Sequence, residues 1–223
     1  MTDYAAARHN MVESQIRPNQ VTDARLLSAL SDVPRESFVP ASLQALAYME
    51  EEIEVAPARQ GIPARCLVSP MPLARLIQLA EVDEDNLVLD VGCATGYSTA
   101  LLARLAESVV GLECEKALAE QASQTLMELG TDNAAVVSGP LPEGYASEGP
   151  FDVIVLNGCV PDVPRSLLKQ LKEGGRLVAI IAEYEFGQAT LYRNIGGRVS
   201  QRSVFDAGGP ILPGFELEKE FVF

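Results

Sequence analysis

Histidine is almost absent from this sequence, and its cysteines are not paired. The chain has one histidine, His9, and its four cysteines include no C-x-x-C pair: Cys66, Cys93, Cys114 and Cys159. Zinc sites are built from several cysteine or histidine ligands at close spacing, so the sequence predicts no metal site. We expect the cysteines to be buried, reduced thiols.

The chain also has few positively charged residues. The chain has 17 lysines and arginines against 31 aspartates and glutamates, which gives a net charge of −14. Such a surface repels phosphate backbones, so nucleic acid is not an expected partner. No apolar run approaches the roughly 20 residues of a transmembrane helix, and the first residues lack the apolar region of a signal peptide. We therefore expect no membrane association and a cytoplasmic location.

One stretch, residues 86–98, organises the chain. Leu87 to Val91 form a short apolar run, which is typical of a strand buried on both faces. The run ends in a turn of small residues from Gly92 to Gly96, where glycine lets the backbone pass close to a ligand. From Tyr97 onward, apolar residues recur at helical spacing. Strand, glycine turn and helix together predict the first unit of a nucleotide-binding α/β sheet.

An acidic residue at the end of the next predicted strand supports this interpretation. Glu113 closes the run Ser108–Glu113, and a carboxylate there can accept hydrogen bonds from both hydroxyls of a ribose. Dinucleotides and S-adenosylmethionine (SAM) both bind in this layout. The dinucleotide fingerprint G-x-G-x-x-G needs glycines where this chain has Ala94 and Tyr97. The sequence therefore favours SAM, with a dinucleotide as the alternative.

The rest of the chain predicts an α/β fold of 223 residues. Helical patterns cover residues 3–16, 22–30, 72–80 and 115–129 and begin again at Pro164, and strand patterns cover 134–137, 151–156 and 176–182. Residues 189–194 and 198–205, joined by Ile195-Gly196-Gly197, predict an antiparallel hairpin at the end of the sheet.

The N-terminal part carries a more specific pattern. Its segments are MVESQI (11–16), VTDARL (21–26), VPRESFVP (33–40) and Ala47-Tyr48. Their order and spacing resemble the opening of the protein-L-isoaspartate (D-aspartate) O-methyltransferase family, and the resemblance continues through residues 151–155 and 170–178. It implies a class I SAM-dependent methyltransferase (Rossmann-like) fold. Residues 1–70 would form a helical extension that covers the active site, and residues 71–223 would form the SAM-binding core.

The resemblance also implies where SAM binds. The implied cofactor-binding residues are Asp90, Gly92, Cys93, Ala94, Gly96, Tyr97, Glu113, Gly139, Pro140 and Leu141, and the position of Asn157 at a strand end adds it as a further candidate. Asn157 follows a predicted strand, although Asn157-Gly158 is equally typical of a turn. Where the family has an Asp that meets the adenine amino group, this chain has Pro140, which offers neither a carboxylate nor an N–H. We therefore expect adenine to be held by packing on Leu141 and by main-chain groups.

The segment next to the reacting groups departs from the family. The family has Gln-Thr-Ile-Ser-Gln-Pro, and this chain, aligned on Pro70, has Arg-Cys-Leu-Val-Ser-Pro. The position of the family's catalytic-site Ser therefore falls on Val68, and Ser69 lies one residue later. A slip of one residue in an extended segment turns a side chain to the opposite face. Ser69 is the candidate catalytic hydroxyl, and Val68 marks the family's Ser position.

The implied reaction is methyl transfer from SAM to a carboxylate of isoaspartyl residues in a protein or peptide. A carboxylate is already ionised at neutral pH, so the reaction needs positioning rather than a strong general base. Two alternatives stay open: a family member that methylates another acceptor, such as a small molecule, and a catalytically silent relative that binds SAM or a partner protein. Val68 and Pro140 favour these alternatives and predict weak isoaspartyl methylation, whereas the N-terminal resemblance favours the family reaction.

Overall fold

The N-terminal part of the chain is mostly helical in the computed structural model, which describes residues 3–59, 62–182 and 186–215. Helix α1 (Tyr4–Met11) continues into a π-helical turn (Val12–Ile16), and helix α2 (Ala24–Asp32) follows. The carboxylate of Asp23 caps α2, because it accepts hydrogen bonds from the first backbone N–H groups of that helix. The two predicted N-terminal helices are therefore present.

A small antiparallel sheet connects these helices to the rest of the molecule. It consists of β1 (Ile53–Ala56) and β2 (Arg65–Leu67), and helix α3 (Pro70–Leu79) begins three residues after β2. The sequence did not predict β1 and β2, because strands of four and three residues are too short to show a periodic pattern.

Seven strands form the central sheet. They are β3 (Leu87–Val91), β4 (Ser108–Glu113), β5 (Ala134–Ser138), β6 (Phe151–Val160), β7 (Leu171–Ile181), β8 (Phe186–Ile195) and β9 (Arg198–Gly208). Their spatial order is β5-β4-β3-β6-β7-β8-β9; β8 is antiparallel to both of its neighbours, β7 and β9, and all other neighbouring pairs are parallel. The chain runs outward from β3 in both directions, so a ligand crevice is expected at the carboxyl end of β3.

Three helices make connections between the parallel strands: α4 (Tyr97–Ala103), α5 (Lys116–Glu128) and α6 (Arg165–Leu168). Gly130, with a φ of +66°, follows the end of α5, as predicted from its position. Helix α6 is shorter than predicted, because Leu171 already belongs to β7. Strand β6 is longer than predicted and runs past Asn157 with an irregular register to β7.

Two hydrophobic clusters flank the sheet. The larger one unites side chains of the N-terminal helices, such as Leu26, with those of α3 and α4, such as Leu76 and Leu101. The other includes Leu89 and Leu112. The predicted α/β fold with a C-terminal antiparallel hairpin is confirmed, whereas the division at residue 70 stays a prediction. Among the described residues, no helix is both long and apolar enough to cross a bilayer.

Candidate active site

The turn after β3 has the backbone form that its glycines predict. Gly92 and Gly96 have φ angles of +77° and +94°, and Ala94 between them has a φ of +49°. A left-handed conformation costs an L-residue about 1–2 kcal/mol. The cost at Ala94 is offset by its N–H, which donates to a carboxylate oxygen of Glu113 at 2.8 Å. The turn is thereby fixed to the end of the neighbouring strand β4.

Asp90, Asn157 and the start of α4 form one buried polar network. The Asp90 carboxylate accepts hydrogen bonds from the hydroxyls of Ser98 at 2.8 Å and Thr99 at 2.6 Å, and from the Asn157 amide. The Asn157 amide also donates to Ser98 at 3.1 Å. Burial raises the pKa of Asp90 to about 6, against the effect of these hydrogen bonds. The network joins the ends of β3 and β6 to α4.

Glu113 lies at the carboxyl end of β4, as predicted, and is fully buried. Both of its oxygens accept from the Arg65 guanidinium, at 3.2 and 2.9 Å. Backbone N–H groups of Ala94, Cys114 and Glu115 donate to the same carboxylate. Burial disfavours ionisation, but Arg65 and the hydrogen bonds outweigh it and hold the pKa of Glu113 below its usual value. A carboxylate offers about four acceptor positions, so Glu113 is saturated by its own chain.

Arg65 was missed as a site residue by the sequence analysis. It begins β2, is fully buried, and also donates from Nη2 to the carbonyl of Gly92 at 3.1 Å. Its position is that of the family's first Gln in the segment aligned on Pro70. A single arginine in a segment that otherwise reads as apolar was the only signal of its role.

Leu212 closes the crevice from the other side. It packs directly on Gly92: a methyl group added to that glycine would lie 2.7 Å from Leu212 Cδ2. Two backbone hydrogen bonds with Cys159 fix the segment, from Cys159 N to the Pro210 carbonyl at 2.7 Å and from Leu212 N to the Cys159 carbonyl at 3.0 Å. Leu212 is fully buried in a hydrophobic cluster that includes Leu141 and Phe215.

The residues expected to bind the cofactor lie around the crevice, but little open volume remains next to the glycine turn. A cavity of about 10 Å³ remains between Arg35, Val68, Tyr97 and Asn157, which is room for one water molecule at most. Pockets for small-molecule ligands are on the order of 300–1,000 Å³. Gly92 lines this cavity, whereas Glu113 is engaged by Arg65 and the space over Gly92 is taken by Leu212.

The adenine corner lies beside Glu113. The N–H of Gly139 donates to the backbone carbonyl of Glu113 at 3.0 Å. Pro140 is exposed and precedes a 3-10 turn, Leu141–Glu143, in which Leu141 is buried. The three residues implied for adenine therefore lie close to Glu113, and Leu141 packs into the cluster that contains Leu212.

Val68 and Ser69 face opposite ways. Val68 lines the small cavity, and its carbonyl accepts from Arg35, which is fully buried and stacks on the Tyr97 ring at 4.7 Å. Ser69 lines an outer groove of about 610 Å³ together with Glu50. The structure therefore brings Val68, and not Ser69, to the crevice; the catalytic assignment of Ser69 stays a prediction.

The remaining predicted residues complete the floor of the crevice. Cys93 is buried in the turn, and Tyr97, the first residue of α4, packs edge-on against Phe38 with ring centroids 5.6 Å apart. Within residues 3–59, 62–182 and 186–215, no three His, Cys, Asp or Glu side chains are grouped closely enough to hold a metal ion.

The chain matches one protein family over most of its length. Residues 6–206 match the family model of protein-L-isoaspartate(D-aspartate) O-methyltransferase (PCMT). The protein-L-isoaspartate O-methyltransferase of Koribacter versatilis is 35% identical over 206 residues, which cover 92% of this chain and 90% of that protein. The enzyme of the same name from Yersinia enterocolitica is 38% identical over 169 residues, covering 76% of this chain and 78% of the relative.

Solved structures give the same fold. A protein-L-isoaspartate O-methyltransferase structure superposes with a TM-score of 0.81 at 23% identity, covering 94% of this chain and 67% of that one. A Plasmodium falciparum structure of the same name, in complex with S-adenosyl-L-homocysteine, has a TM-score of 0.72 at 19% identity and covers 95% of this chain and 99% of that one.

Proposed function

Because the chain belongs to the protein-L-isoaspartate(D-aspartate) O-methyltransferase family, we propose that it transfers a methyl group from SAM to a carboxylate of isoaspartyl residues in proteins. It is a SAM-dependent methyltransferase, and SAM is its cofactor. The observation that carries the proposal is the family match over residues 6–206, which includes the N-terminal helices as well as the sheet. A generic class I methyltransferase would share only the sheet.

The residues around the glycine turn would hold the cofactor. When bound, SAM supplies an electrophilic methyl group on its sulfonium. Gly92 permits close approach of the backbone, Glu113 offers its oxygens to ribose hydroxyls once Arg65 has released them, and Leu141 offers an apolar surface to adenine. The Asp90–Asn157 network keeps the ends of β3 and β6 in a fixed relation, so that the floor of the crevice stays rigid.

A buried cation near Val68 supports an anionic acceptor. Arg35 is fully buried, and its Nη1 has no hydrogen-bond partner among the described residues. Its other nitrogens donate to the carbonyls of Ala47 and Val68, both at 2.8 Å, so the guanidinium is fixed beside the cavity. A fixed positive charge attracts a carboxylate and keeps it ionised. An isoaspartyl carboxylate meets this requirement, and a small-molecule carboxylate would meet it as well.

We further propose that the protein works in the cytoplasm on protein or peptide substrates. The thiols of Cys66 and Cys114, both only partly buried, are compatible with a reducing compartment. The net charge of −14 disfavours nucleic acid as an acceptor.

Methyl transfer to matched peptides tests the proposed function. One peptide carries an isoaspartyl residue, and the other carries aspartate at the same position. We expect transfer of labelled methyl groups to the isoaspartyl peptide alone, in the wild-type protein or in a variant with an opened crevice. If a folded variant that binds S-adenosylhomocysteine methylates neither peptide, the protein is a silent relative or acts on another acceptor.

A further inference from the structure

We propose that Arg65 and Leu212 form an internal plug of the cofactor crevice, and that the cofactor binds only by displacing them. The inference rests on the proposed function, since it concerns the regulation of the same site. Both side chains are fully buried at the carboxyl ends of β3 and β4. Arg65 comes from β2, before the central sheet begins, and Leu212 from the segment after β9. One half of the plug is ionic and the other is apolar.

The ionic half of the plug competes for the ribose position. A ribose needs the two oxygens of Glu113, and the Arg65 guanidinium engages both of them, at 3.2 and 2.9 Å. A planar guanidinium matches a carboxylate in this two-point manner. Arg65 therefore supplies Glu113 with a charged partner from within the chain.

The apolar half occupies the space above the glycine turn. Gly92 has no side chain, and Leu212 uses that room, approaching to the distance at which a methyl group would clash. Gly158 also lies directly under this segment, because a methyl group there would clash with the carbonyl oxygen of Pro210. Residues 210–212 thus cover both Gly92, after β3, and Gly158, in β6.

The attachment of the segment is local. Its described backbone hydrogen bonds to the sheet are the two with Cys159, and its other described contacts include packing of Leu212 and Phe215 in the hydrophobic cluster. Residues 210–215 follow β9 and are not part of the seven-stranded ladder. The segment can therefore leave the crevice while the sheet stays intact. Arg65 can then release Glu113 by a change of side-chain rotamer, with β2 in place.

Calorimetric titration with S-adenosylhomocysteine tests the plug in four variants. Arg65→Gln removes the charge of the ionic half and keeps a polar side chain, and Leu212→Ala removes most of the apolar half. Arg193→Gln removes an arginine from an exposed ion pair with Glu81, and Leu167→Ala shortens a buried leucine of the same cluster; these are the matched controls. We expect at least tenfold tighter binding in each plug variant and unchanged binding in both controls.

Hydrogen exchange supplies a readout that is independent of affinity. Adding S-adenosylhomocysteine to the wild-type protein should speed exchange of the amides of Cys159 and Leu212, because their hydrogen bonds break when the segment leaves. Slower exchange of both amides in the complex would overturn the proposal. Leu212→Ala leaves the Arg65–Glu113 ion pair in place. If Arg65→Gln does not fold, the affinity of Leu212→Ala for S-adenosylhomocysteine still tests the proposal.

Failure of the plug and failure of the proposed function give different results. Tight binding by the wild-type protein that is weakened in Arg65→Gln would make Arg65 a cofactor-binding residue and overturn the plug, while methylation could proceed. Folded plug variants that bind no better than the wild type would also overturn it. Plug variants that bind tightly but methylate no isoaspartyl peptide would support the plug and refute the proposed acceptor.

Discussion

The Asp90 carboxylate accepts a hydrogen bond from the Asn157 amide across neighbouring strands β3 and β6, although the two residues are 67 positions apart. Sequence analysis placed both of them in the cofactor site. In the structure, Asp90 contacts Asn157, Ser98 and Thr99. The pair therefore links β3 to β6 at the crevice, and Asn157 Oδ1 is the buried polar atom of the pair that has no partner among the described residues.

The first prediction concerns the pH dependence of stability at Asp90. Burial raises the pKa of Asp90 to about 6 in the folded protein, whereas an unfolded Asp has a pKa of about 3.9. The folded state binds this proton more tightly, so the contribution to stability is full below about pH 4 and is lost as the pH rises through about 6. The free energy of unfolding of the wild type, relative to Asp90→Asn, should fall by up to about 3 kcal/mol over that window.

Urea unfolding at a series of pH values measures this difference. Asp132→Asn is the control, because Asp132 is exposed and the variant loses the same charge. The difference in the free energy of unfolding between the wild type and Asp132→Asn should stay nearly constant over the same pH range. A constant difference for Asp90→Asn as well would show that the buried carboxyl is not protonated more readily than in the unfolded chain.

The second prediction concerns the ion pair that fills the crevice. Glu113→Gln leaves the buried Arg65 without a counter-charge and should lower the free energy of unfolding by about 3–5 kcal/mol at neutral pH. The pKa of Glu113 is lower in the folded than in the unfolded protein. The ionised carboxylate therefore stabilises the fold above the unfolded pKa, and this stabilisation is lost as the pH falls towards the folded pKa. The difference in the free energy of unfolding between the wild type and Glu113→Gln should accordingly decrease in acid. Glu81→Gln breaks the exposed pair with Arg193 and should cost less than about 1 kcal/mol. Equal losses in the two variants would contradict the role given to burial.

The third prediction assigns Glu113 to the ribose. In a Leu212→Ala background, Glu113→Ala should weaken binding of S-adenosylhomocysteine by about 1.5–3 kcal/mol, the scale of hydrogen bonds to a charged group. Titration calorimetry measures the loss, and circular dichroism establishes that the variant is folded. Unchanged affinity in a folded variant would remove Glu113 from the cofactor site.

Local patterns in the sequence predicted the frame of the site. The apolar run of β3, the turn at Gly92 and Glu113 at the end of β4 are features of short segments, and periodicity detects them. The plug was not predictable in this way. Arg65 and Glu113 are 48 positions apart, and Leu212 reaches the crevice from beyond the last strand. Which distant side chain neutralises a buried carboxylate depends on the packing of the whole fold, so the lone arginine in its segment did not by itself identify Glu113 as its partner.

The fourth prediction concerns adenine. Pro140 is exposed beside the buried Leu141, at the position where the family has an Asp. Pro140→Asp should supply the missing acceptor and tighten binding of S-adenosylhomocysteine about tenfold or more, since one hydrogen bond to a carboxylate contributes about 1.5–3 kcal/mol. Pro140→Ala is the matched control, because it removes the proline ring without adding a carboxylate. Equal affinities of the two variants would show that the adenine amino group lies elsewhere.

The last prediction concerns the missing hydroxyl. Val68 lines the crevice beside Arg35, while Ser69 lies with Glu50 in the outer groove. A hydrogen bond to the transition state is worth about a hundredfold or more in rate. We therefore expect weak isoaspartyl methylation by the wild type and a rise of about 10–100-fold in Val68→Ser. Val68→Ala, which opens similar space without a hydroxyl, should not show the rise.

Ser69→Ala completes this test. If Ser69 has no catalytic role, the variant should keep the methylation rate of the wild type, and only contacts with Glu50 should change. A large loss of isoaspartyl methylation in Ser69→Ala, with the cofactor affinity unchanged, would mean that the segment rearranges during the reaction and that Ser69 supplies the hydroxyl. Strong methylation by the wild type that neither Val68→Ser nor Ser69→Ala alters would instead show that this reaction needs no hydroxyl here, because positioning of the ionised acceptor is sufficient.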